Sequence, residues 1–300
     1  MEYYQRVIEL KCKELSKNIL SSIKEETKLF IQKENRAPGL AVILVGNNSA
    51  SKSYVKSKTK RAEELGFVHF QYSLSEDSLE SDVLSLIDDL NNDDRIDGIL
   101  VQLPLPKTIN PDKVIARISP EKDVDGFTPT SLGLLALNRP SFVPCTPLGI
   151  VEIFKNFNIE TKGKRVCIIG RSNIVGKPLM MLLSNPGFDA TVTLCNSHTK
   201  NLKEITLSSD IVVIAIGKAM MIDSSYIKDG AVVIDVGINR VEDKASEKGY
   251  VIKGDADYSS FLNRDVSITP VPGGVGVMTV TMLMANTLYS AKRRSSKWSI

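Results

Sequence analysis

Short apolar runs alternate with longer amphipathic segments along most of this chain, and this alternation restricts the fold more than any other sequence feature. In the first half the apolar runs are LAVILVG (40–46), FVHFQYSL (67–74) and IDGILVQLPLP (96–106). Helix-like segments at 51–66 and 78–93 separate them. Strands connected through helices pair in parallel, and the helices cover the faces of the sheet. The pattern therefore predicts an α/β protein.

The second half repeats this alternation with a shorter period, through RVCIIG (165–170), TVTLC (191–195), DIVVIAIG (210–217) and AVVIDVG (231–237). This spacing is typical of the mononucleotide-binding half of a doubly wound sheet. Between the halves, residues 120–147 are rich in Pro, Gly and Thr, which predicts a domain junction.

Both ends of the chain are predicted to be helical. Apolar residues at helical spacing cover residues 6–34, and they include Val7 and Ile8. The sequence predicts a second helix with a serine cap over residues 51–66. It predicts an apolar helix near the C-terminus over residues 274–294. The last six residues, SSKWSI, are predicted to fray.

Composition excludes several classes of protein. The 300 residues are 42% hydrophobic and 24% charged, with a net charge of +3, which is too small to indicate nucleic-acid binding. No apolar run reaches a membrane-spanning length, and the N-terminus lacks the apolar core of a signal peptide. Four cysteines without a CxxC pair indicate reduced thiols in a cytosolic protein. Two histidines are too few for a histidine-based metal site or a catalytic triad, so no metal is predicted.

The loop GRSNIVGKP (170–178) leaves a predicted strand and opens a helix, as phosphate-binding loops do. It lacks the spacing of a Walker A loop, and Ser172 and Val175 stand where the dinucleotide fingerprint has glycines. About twenty residues further on, where NAD enzymes carry an acid, Asn196 is followed by Ser197. Arg171 and Ser197 therefore suit the 2′-phosphate of NADP. The alternative is that Arg171 is a solvated loop residue.

Polar residues of the first half supply a second group of candidates. Tyr54 and Lys58 lie four apart on one helix face, a weak signal because exposed lysines are common. Gln102 interrupts an apolar run, so its amide must find a partner. Asp123 and Asp125 flank the start of the junction, where acidic residues usually form turns.

Several stretches occur together in one order: YVKSK, DGILVQLPLP, PEKDVDGF, PCTP, GRSNIVGKP, TVTLCNSHT, DVGIN and TPVPGGVGVMT. In these motifs the sequence, over roughly residues 35–290, resembles the bifunctional methylenetetrahydrofolate dehydrogenase/methenyltetrahydrofolate cyclohydrolase family of the FolD type. The resemblance implies two α/β domains flanking a cleft. A folate-binding catalytic domain (1–145, joined by the C-terminal helix 276–300) would precede an NADP-binding Rossmann-type domain (146–275).

The resemblance also implies the reactions and the site. Methylenetetrahydrofolate would be oxidised with NADP to the methenyl form and then hydrolysed to 10-formyltetrahydrofolate, in the one-carbon metabolism that serves purine biosynthesis. Lys58 would be the central catalytic residue, tuned by Gln102, with Asp125 anchoring the pterin ring. The implied catalytic and folate-binding residues are Tyr54, Lys58, Val101, Gln102, Leu103, Asp125, Pro272, Gly273 and Gly274. The implied cofactor residues are Gly170, Arg171, Ser172, Gly176, Ser197 and Ile238.

A cytoplasmic homodimer that binds neither membrane nor nucleic acid is also implied. The sequence departs from the family pattern at Val277, where proline is usual, and in ELKCKEL (9–15), which lacks a common Asp-Gly-Lys. Three alternatives remain: a dehydrogenase with little cyclohydrolase activity, another nicotinamide enzyme such as an amino-acid or shikimate-type dehydrogenase, and a non-catalytic dinucleotide-binding regulator.

Overall fold

The structure is a computed structural model that describes residues 7–247 and 249–298. The chain divides into two compact units. The first unit comprises Lys17–Cys145 and the segment that starts at Val280, and the second comprises Thr146–Thr279 and the segment that ends at Ser16. The assignment of the folate and NADP domains to 1–145 with 276–300 and to 146–275 stays a prediction.

The helices and strands follow the predicted alternation over most of the chain. The helices are α1 (Lys13–Glu34), α2 (Ser49–Glu64), α3 (Glu80–Asn92), α4 (Pro111–Arg117), α5 (Pro129–Ala136), α6 (Cys145–Asn156), α7 (Gly176–Ser184), α8 (Leu202–Leu207) and α9 (Val275–Arg293). The strands are β1 (Ile8–Glu9), β2 (Gly39–Val45), β3 (Val68–Leu74), β4 (Gly98–Val101), β5 (Arg165–Ile169), β6 (Thr191–Cys195), β7 (Ile211–Ile214), β8 (Val232–Asp235), β9 (Asn239–Glu242), β10 (Tyr250–Lys253) and β11 (Ser267–Ile268).

The first unit contains a three-stranded parallel sheet in the order β3-β2-β4. All seven residues of β2 are buried, which is why its sequence is a continuous apolar run rather than an alternating one. Helix α3 packs Val83, Ile87 and Leu90, spaced at helical period, into the core beside this sheet.

The second unit contains a six-stranded sheet in the order β1-β11-β8-β7-β5-β6, in which every pair is parallel. The chain passes from β5 to β6 on one side and then returns to β7 on the other side of β5. The carboxyl ends of β5 and β7 therefore form the topological switch point, where doubly wound sheets bind ligands. The predicted α/β class and the Rossmann-type sheet are confirmed.

The prediction of one helix over residues 6–34 is wrong at its start. Ile8 and Leu10 donate backbone hydrogen bonds to Val266 and Ile268, at 2.8 Å each, and Ile8–Glu9 forms the edge strand β1. Three apolar residues among four, Val7, Ile8 and Leu10, fit both a strand and a helix, so a partner about 260 residues away decided the conformation. Residue 6 lies outside the described residues.

Two further local predictions are wrong. The cap of α2 is Asn48, whose side chain accepts a hydrogen bond from the Ser51 backbone, rather than a serine. The tail after α9 does not fray over residues 295–298: Trp298 stacks on Phe30 with ring centroids 6.2 Å apart, and Ser295 donates to Glu34. Ser299 and Ile300 lie outside the described residues.

Candidate active site

Helix α2 carries Tyr54 and Lys58 one turn apart, and Asn48 caps the start of this helix. Lys58 donates from Nζ to Oε1 of Gln102 at 3.0 Å. Gln102 follows the last residue of β4, and its Nε2 donates to the Leu103 carbonyl at 2.7 Å, which turns the amide oxygen toward the lysine. The side chain that interrupts the apolar run thus holds the ammonium group of Lys58.

The two aspartates of KDVDG have different environments. Asp123 is 1% exposed and accepts hydrogen bonds from the backbone of Gly126, Phe127 and Thr128 and from the Ser131 hydroxyl. It is therefore the residue that builds the turn.

Asp125 lies beside Lys58 and Cys145 instead. Burial raises the pKa of Asp125, while the positive charge of Lys58 opposes that rise. The charge of Asp123 adds to the rise, and the Cys145 thiol beside the carboxylate lowers the pKa. Asp125 is therefore a carboxylate placed in the electrostatic field of the lysine.

Two residues beside Asp125 were missed by the sequence reasoning. Asn286 on α9 is 6% exposed, and its Nδ2 donates to the carbonyls of Val124 at 2.9 Å and Val143 at 3.1 Å. The Cys145 thiol donates to the Val124 carbonyl at 3.3 Å, and burial with the neighbouring carboxylate raises the pKa of this thiol well above its ordinary value. A lone asparagine in the apolar run TMLMANTLY was the signal that could have revealed Asn286.

The other predicted folate-binding residues are distributed over both units. Val101 is the buried last residue of β4, and Leu103 follows Gln102. Pro272, Gly273 and Gly274 belong to the second unit and lead directly into α9. The Gly273 carbonyl accepts from the Cys12 backbone at 3.2 Å, which fixes this loop within its own unit.

The loop after β5 shows why its glycines stand where they do. Gly170 has φ +123°, and a Cβ there would lie 2.1 Å from the Ala215 carbonyl oxygen. A Cβ on Gly176 would lie 1.9 Å from the Gly170 carbonyl oxygen. Both positions therefore require glycine. Ser172 instead uses its hydroxyl to accept from the Val175 backbone at 3.1 Å, and Val175 is buried, which explains both departures from the dinucleotide fingerprint.

The ends of β5 and β6 present exposed polar groups. Arg171 is exposed, and among the described residues nothing forms a hydrogen bond or ion pair with its guanidinium group. Asn196 stabilises the conformation of the loop after β6, because its side-chain oxygen accepts a hydrogen bond from the His198 backbone N–H at 2.9 Å. Ser197 and Lys200 are exposed in the same loop. These side chains fit an anionic group such as a 2′-phosphate.

Ile238 follows β8 and is 42% exposed. Its Cδ1 lies 2.8 Å from the position that a Cβ on Gly276 would take, so the side chain packs against the start of α9. Val277, the departure from the family pattern, continues the helical first turn there and donates to the Gly274 carbonyl at 3.3 Å.

All four cysteines are buried thiols, and Sγ of Cys167 lies 3.7 Å from Sγ of Cys195. Burial raises the pKa of Cys12 to about 12. In the part of the chain that the structure describes, no group of three or more His, Cys, Asp or Glu side chains could hold a metal ion.

Two family models cover nearly the whole chain. The catalytic domain of tetrahydrofolate dehydrogenase/cyclohydrolase matches residues 10–125, and the NAD(P)-binding domain of the same enzymes matches residues 144–295. The chain belongs to the tetrahydrofolate dehydrogenase/cyclohydrolase family. The predicted resemblance is confirmed.

Curated relatives match this family member over almost their full length. The bifunctional protein FolD of Flavobacterium johnsoniae is 48% identical over 288 residues, which are 95% of this chain and 97% of the relative. The FolD protein of Acetivibrio thermocellus is 49% identical over 279 residues, 92% of this chain and 95% of the relative.

Solved structures of the family superimpose closely. The FolD methylenetetrahydrofolate dehydrogenase/cyclohydrolase of Campylobacter jejuni is 44% identical, with a TM-score of 0.90 over 96% of this chain and 100% of that one. The Trypanosoma brucei enzyme, solved with NADP and an inhibitor, is 37% identical. Its TM-score is 0.92, and the match covers 97% of this chain and 99% of that chain. Shikimate 5-dehydrogenase of Thermus thermophilus, at 12% identity and a TM-score of 0.52, shares the fold alone. The alternative of a shikimate-type dehydrogenase is therefore not supported.

Proposed function

We propose that Lys58, Gln102 and Asp125 carry the folate chemistry of this chain, and that Arg171 and Ser197 bind the 2′-phosphate of NADP. The two activities themselves follow from membership in the family. The chain is an NADP-dependent methylenetetrahydrofolate dehydrogenase and a methenyltetrahydrofolate cyclohydrolase of one-carbon metabolism, as predicted.

The hydrogen bond between Lys58 and Gln102 is the observation that carries the catalytic assignment. A lysine that must donate and accept protons at the one-carbon unit has to be held in one position. The amide oxygen of Gln102 does this without adding a negative charge of its own. Tyr54, one helical turn away, would border the same folate.

Asp125 would bind the pterin ring through its amino and ring N–H donors. Charge-assisted bonds of a carboxylate to two parallel donors are both strong and specific for orientation. The supporting observation is that Asp123 satisfies the turn with four hydrogen bonds, which leaves Asp125 for a ligand. Val101, Leu103, Pro272, Gly273 and Gly274 would contact the folate as well.

The switch point of the six-stranded sheet would hold the dinucleotide. Gly170 and Gly176 let the backbone of this loop pack closely on itself, and the start of α7 would offer its backbone N–H groups to the pyrophosphate. The guanidinium group of Arg171 would donate two hydrogen bonds to the 2′-phosphate, and the Ser197 hydroxyl would donate another. Ser172 would donate its hydroxyl, and Ile238 would pack against the cofactor.

In the first step, the C–H bond of the one-carbon bridge breaks and its electron pair leaves with the hydrogen as hydride, which NADP⁺ accepts when bound. The folate becomes the methenyl cation. In the second step water adds to this cation, and Lys58 takes up one proton from the water. The C–N bond to N5 then breaks as Lys58 passes this proton to N5, and the remaining O–H proton leaves to the solvent as the formyl C=O bond forms. The product is 10-formyltetrahydrofolate, and Lys58 returns to its starting protonation state.

A coupled assay measures the two activities directly. Methylenetetrahydrofolate and NADP⁺ are mixed with the enzyme, and NADPH and the methenyl intermediate are followed together by absorbance. NADPH formation with decay of the methenyl form supports both activities. NADPH formation with persistent methenyl product indicates a dehydrogenase with little cyclohydrolase activity, and no NADPH indicates the non-catalytic regulator.

The family resemblance further supports a cytoplasmic homodimer that binds neither nucleic acid nor membrane. Each helix among residues 7–247 and 249–298 is too short or too polar to cross a lipid bilayer. Light scattering after size-exclusion chromatography tests the dimer, because the mass of the chain is 33.0 kDa and a dimer doubles it.

A further inference from the structure

Two carboxylates with no role in the proposed site lie beneath the carboxyl edge of the six-stranded sheet. Asp235 is the last residue of β8 and is 3% exposed; Asp255 follows β10 and is fully buried. Among the residues that the structure describes, no lysine, arginine or histidine forms an ion pair with either one. Burying a charge without a counter-charge is costly, so the arrangement needs a reason beyond packing.

Asp255 connects the segments that follow two different strands. Its Oδ2 accepts from the backbone N–H of Ile216 at 2.6 Å and of Gly217 at 2.9 Å, both in the loop after β7. Its Oδ1 accepts from Nδ2 of Asn239, which begins β9 just after the loop that follows β8, at 2.8 Å. One carboxylate therefore fixes the position of one loop relative to the other.

Asp235 in turn fixes the backbone at Asp255 through hydrogen bonds. Its two oxygens accept from the backbone N–H groups of Asp255, Ala256 and Gly237, at 2.9, 3.0 and 2.9 Å. The backbone makes room for both groups. A Cβ on Gly237 would lie 2.3 Å from the Asp255 carboxyl carbon, and one on Gly254 would lie 1.8 Å from Oδ2 of Asp235.

The topology shows which half of the cofactor these loops face. A dinucleotide lies across the carboxyl ends of a doubly wound sheet, with its adenosine ribose at the end of the second strand of the motif, which here is β6. Arg171 and Ser197, after β5 and β6, are proposed for that half. The loops after β7 and β8, on the other side of the switch point, then face the nicotinamide half.

We propose that Asp255 is a positioning residue that sets the loops after β7 and β8 around the nicotinamide ribose of NADP, and that Asp235 supports it. The inference rests on the proposed placement of the cofactor. Its consequence is selective: Asp255 serves hydride transfer, which needs the nicotinamide ring aligned with the folate, and not ring opening by water, which uses no cofactor.

The cyclohydrolase activity of the same enzyme is the internal control for this proposal, because it uses no cofactor. Asp255→Asn keeps the shape of the side chain but removes its negative charge. It also replaces one acceptor oxygen with an NH2 group, which cannot accept the hydrogen bonds that the backbone N–H groups donate to Asp255. We expect kcat/KM of the dehydrogenase for NADP⁺ to fall by about tenfold or more. Cyclohydrolase activity, assayed with methenyltetrahydrofolate in the absence of NADP⁺, should stay at the wild-type rate.

Asp210→Asn is the matched control. Asp210 also accepts a backbone hydrogen bond, from Arg165 at 2.9 Å. It precedes β7, however, and so lies at the amino-terminal ends of the strands of the same sheet. This variant should leave the dehydrogenase unchanged. If Asp255→Asn does not fold, Asn239→Ala removes one of the three bonds to Asp255 and should give a smaller dehydrogenase loss with the same selectivity.

Equal losses of both activities in Asp255→Asn, or an unchanged dehydrogenase, overturn the inference. Arg171→Ala is measured in parallel. If that variant keeps its NADP affinity while Asp255→Asn shows the selective loss, the proposed phosphate-binding residues fail and the positioning role stands.

Discussion

Lys58 and Gln102 are 44 residues apart in sequence, yet their side chains form one hydrogen bond of 3.0 Å between Nζ and Oε1. The bond joins a helix to the end of the neighbouring β4 within the first unit. It gives the lysine a defined position and an uncharged partner. The first prediction follows from it.

Lys58→Met should abolish cyclohydrolase activity while the protein stays folded, because methionine preserves the aliphatic stem and removes the proton-transfer group. The dehydrogenase should lose less, since hydride transfer depends mainly on positioning. Ring opening of methenyltetrahydrofolate is followed by absorbance. Lys56→Met, on the exposed side of the same helix, is the control, and near wild-type ring opening in Lys58→Met would exclude the assignment.

Asp125→Ala should weaken folate binding by about 1–3 kcal/mol, because two donors of the bound ring lose their partner. The melting temperature should change little. Asp123→Ala provides the contrast: it removes four hydrogen bonds of a buried turn and should lower the melting temperature markedly. Folate KM and thermal unfolding of both variants are measured together. An unchanged folate affinity in Asp125→Ala would return this residue to the class of turn-forming aspartates.

Arg171→Ala should lower the affinity for NADP by about one to two orders of magnitude, since a charge-assisted hydrogen bond contributes about 1.5–3 kcal/mol. The affinity for NAD should hardly change, because NAD has no 2′-phosphate. Fluorescence titration with both reduced cofactors measures this. Arg165→Ala, an exposed arginine at the start of β5, controls for general loss of charge. Equal losses for the two cofactors would assign Arg171 to the pyrophosphate instead.

Asp235 should make the stability of the enzyme depend on pH. Burial raises the pKa of Asp235 from 3.8 to about 6, and the three backbone N–H donors only partly oppose this rise. The folded state then binds more protons than the unfolded chain between these two values, so the free energy of unfolding falls as pH rises from about 4 to about 6. A difference of about two pKa units corresponds to roughly 3 kcal/mol.

Asp235→Asn should flatten this part of the profile, because the amide does not titrate. Urea unfolding of wild type and variant at several pH values across that window gives the two slopes. Parallel profiles would show that Asp235 does not bind the proton. Asp257→Asn, a nearby half-buried aspartate whose carboxylate accepts from Ser259, is a suitable control.

Much of this protein followed from local sequence. The apolar runs of β2, β5 and β7 predicted buried parallel strands because strands covered on both faces have no polar side to alternate. Gly170 and Gly176 indicated a turn from a strand into a helix, and both positions need glycine because the backbone approaches itself closely there. The motifs together indicated the family.

Tertiary contacts decided the rest. Ile8 became a strand because an edge of the six-stranded sheet offered it backbone partners, and Trp298 became ordered because Phe30 and Lys33 lay beside it. By residue type and position alone Asp123 and Asp125 are equivalent turn formers, and only the family resemblance separated them. In the structure backbone donors satisfy Asp123, whereas the charge of Lys58 acts on Asp125. Local patterns encode backbone conformation and burial, whereas the partner of a polar side chain depends on which distant segment folding brings within about 3 Å of it.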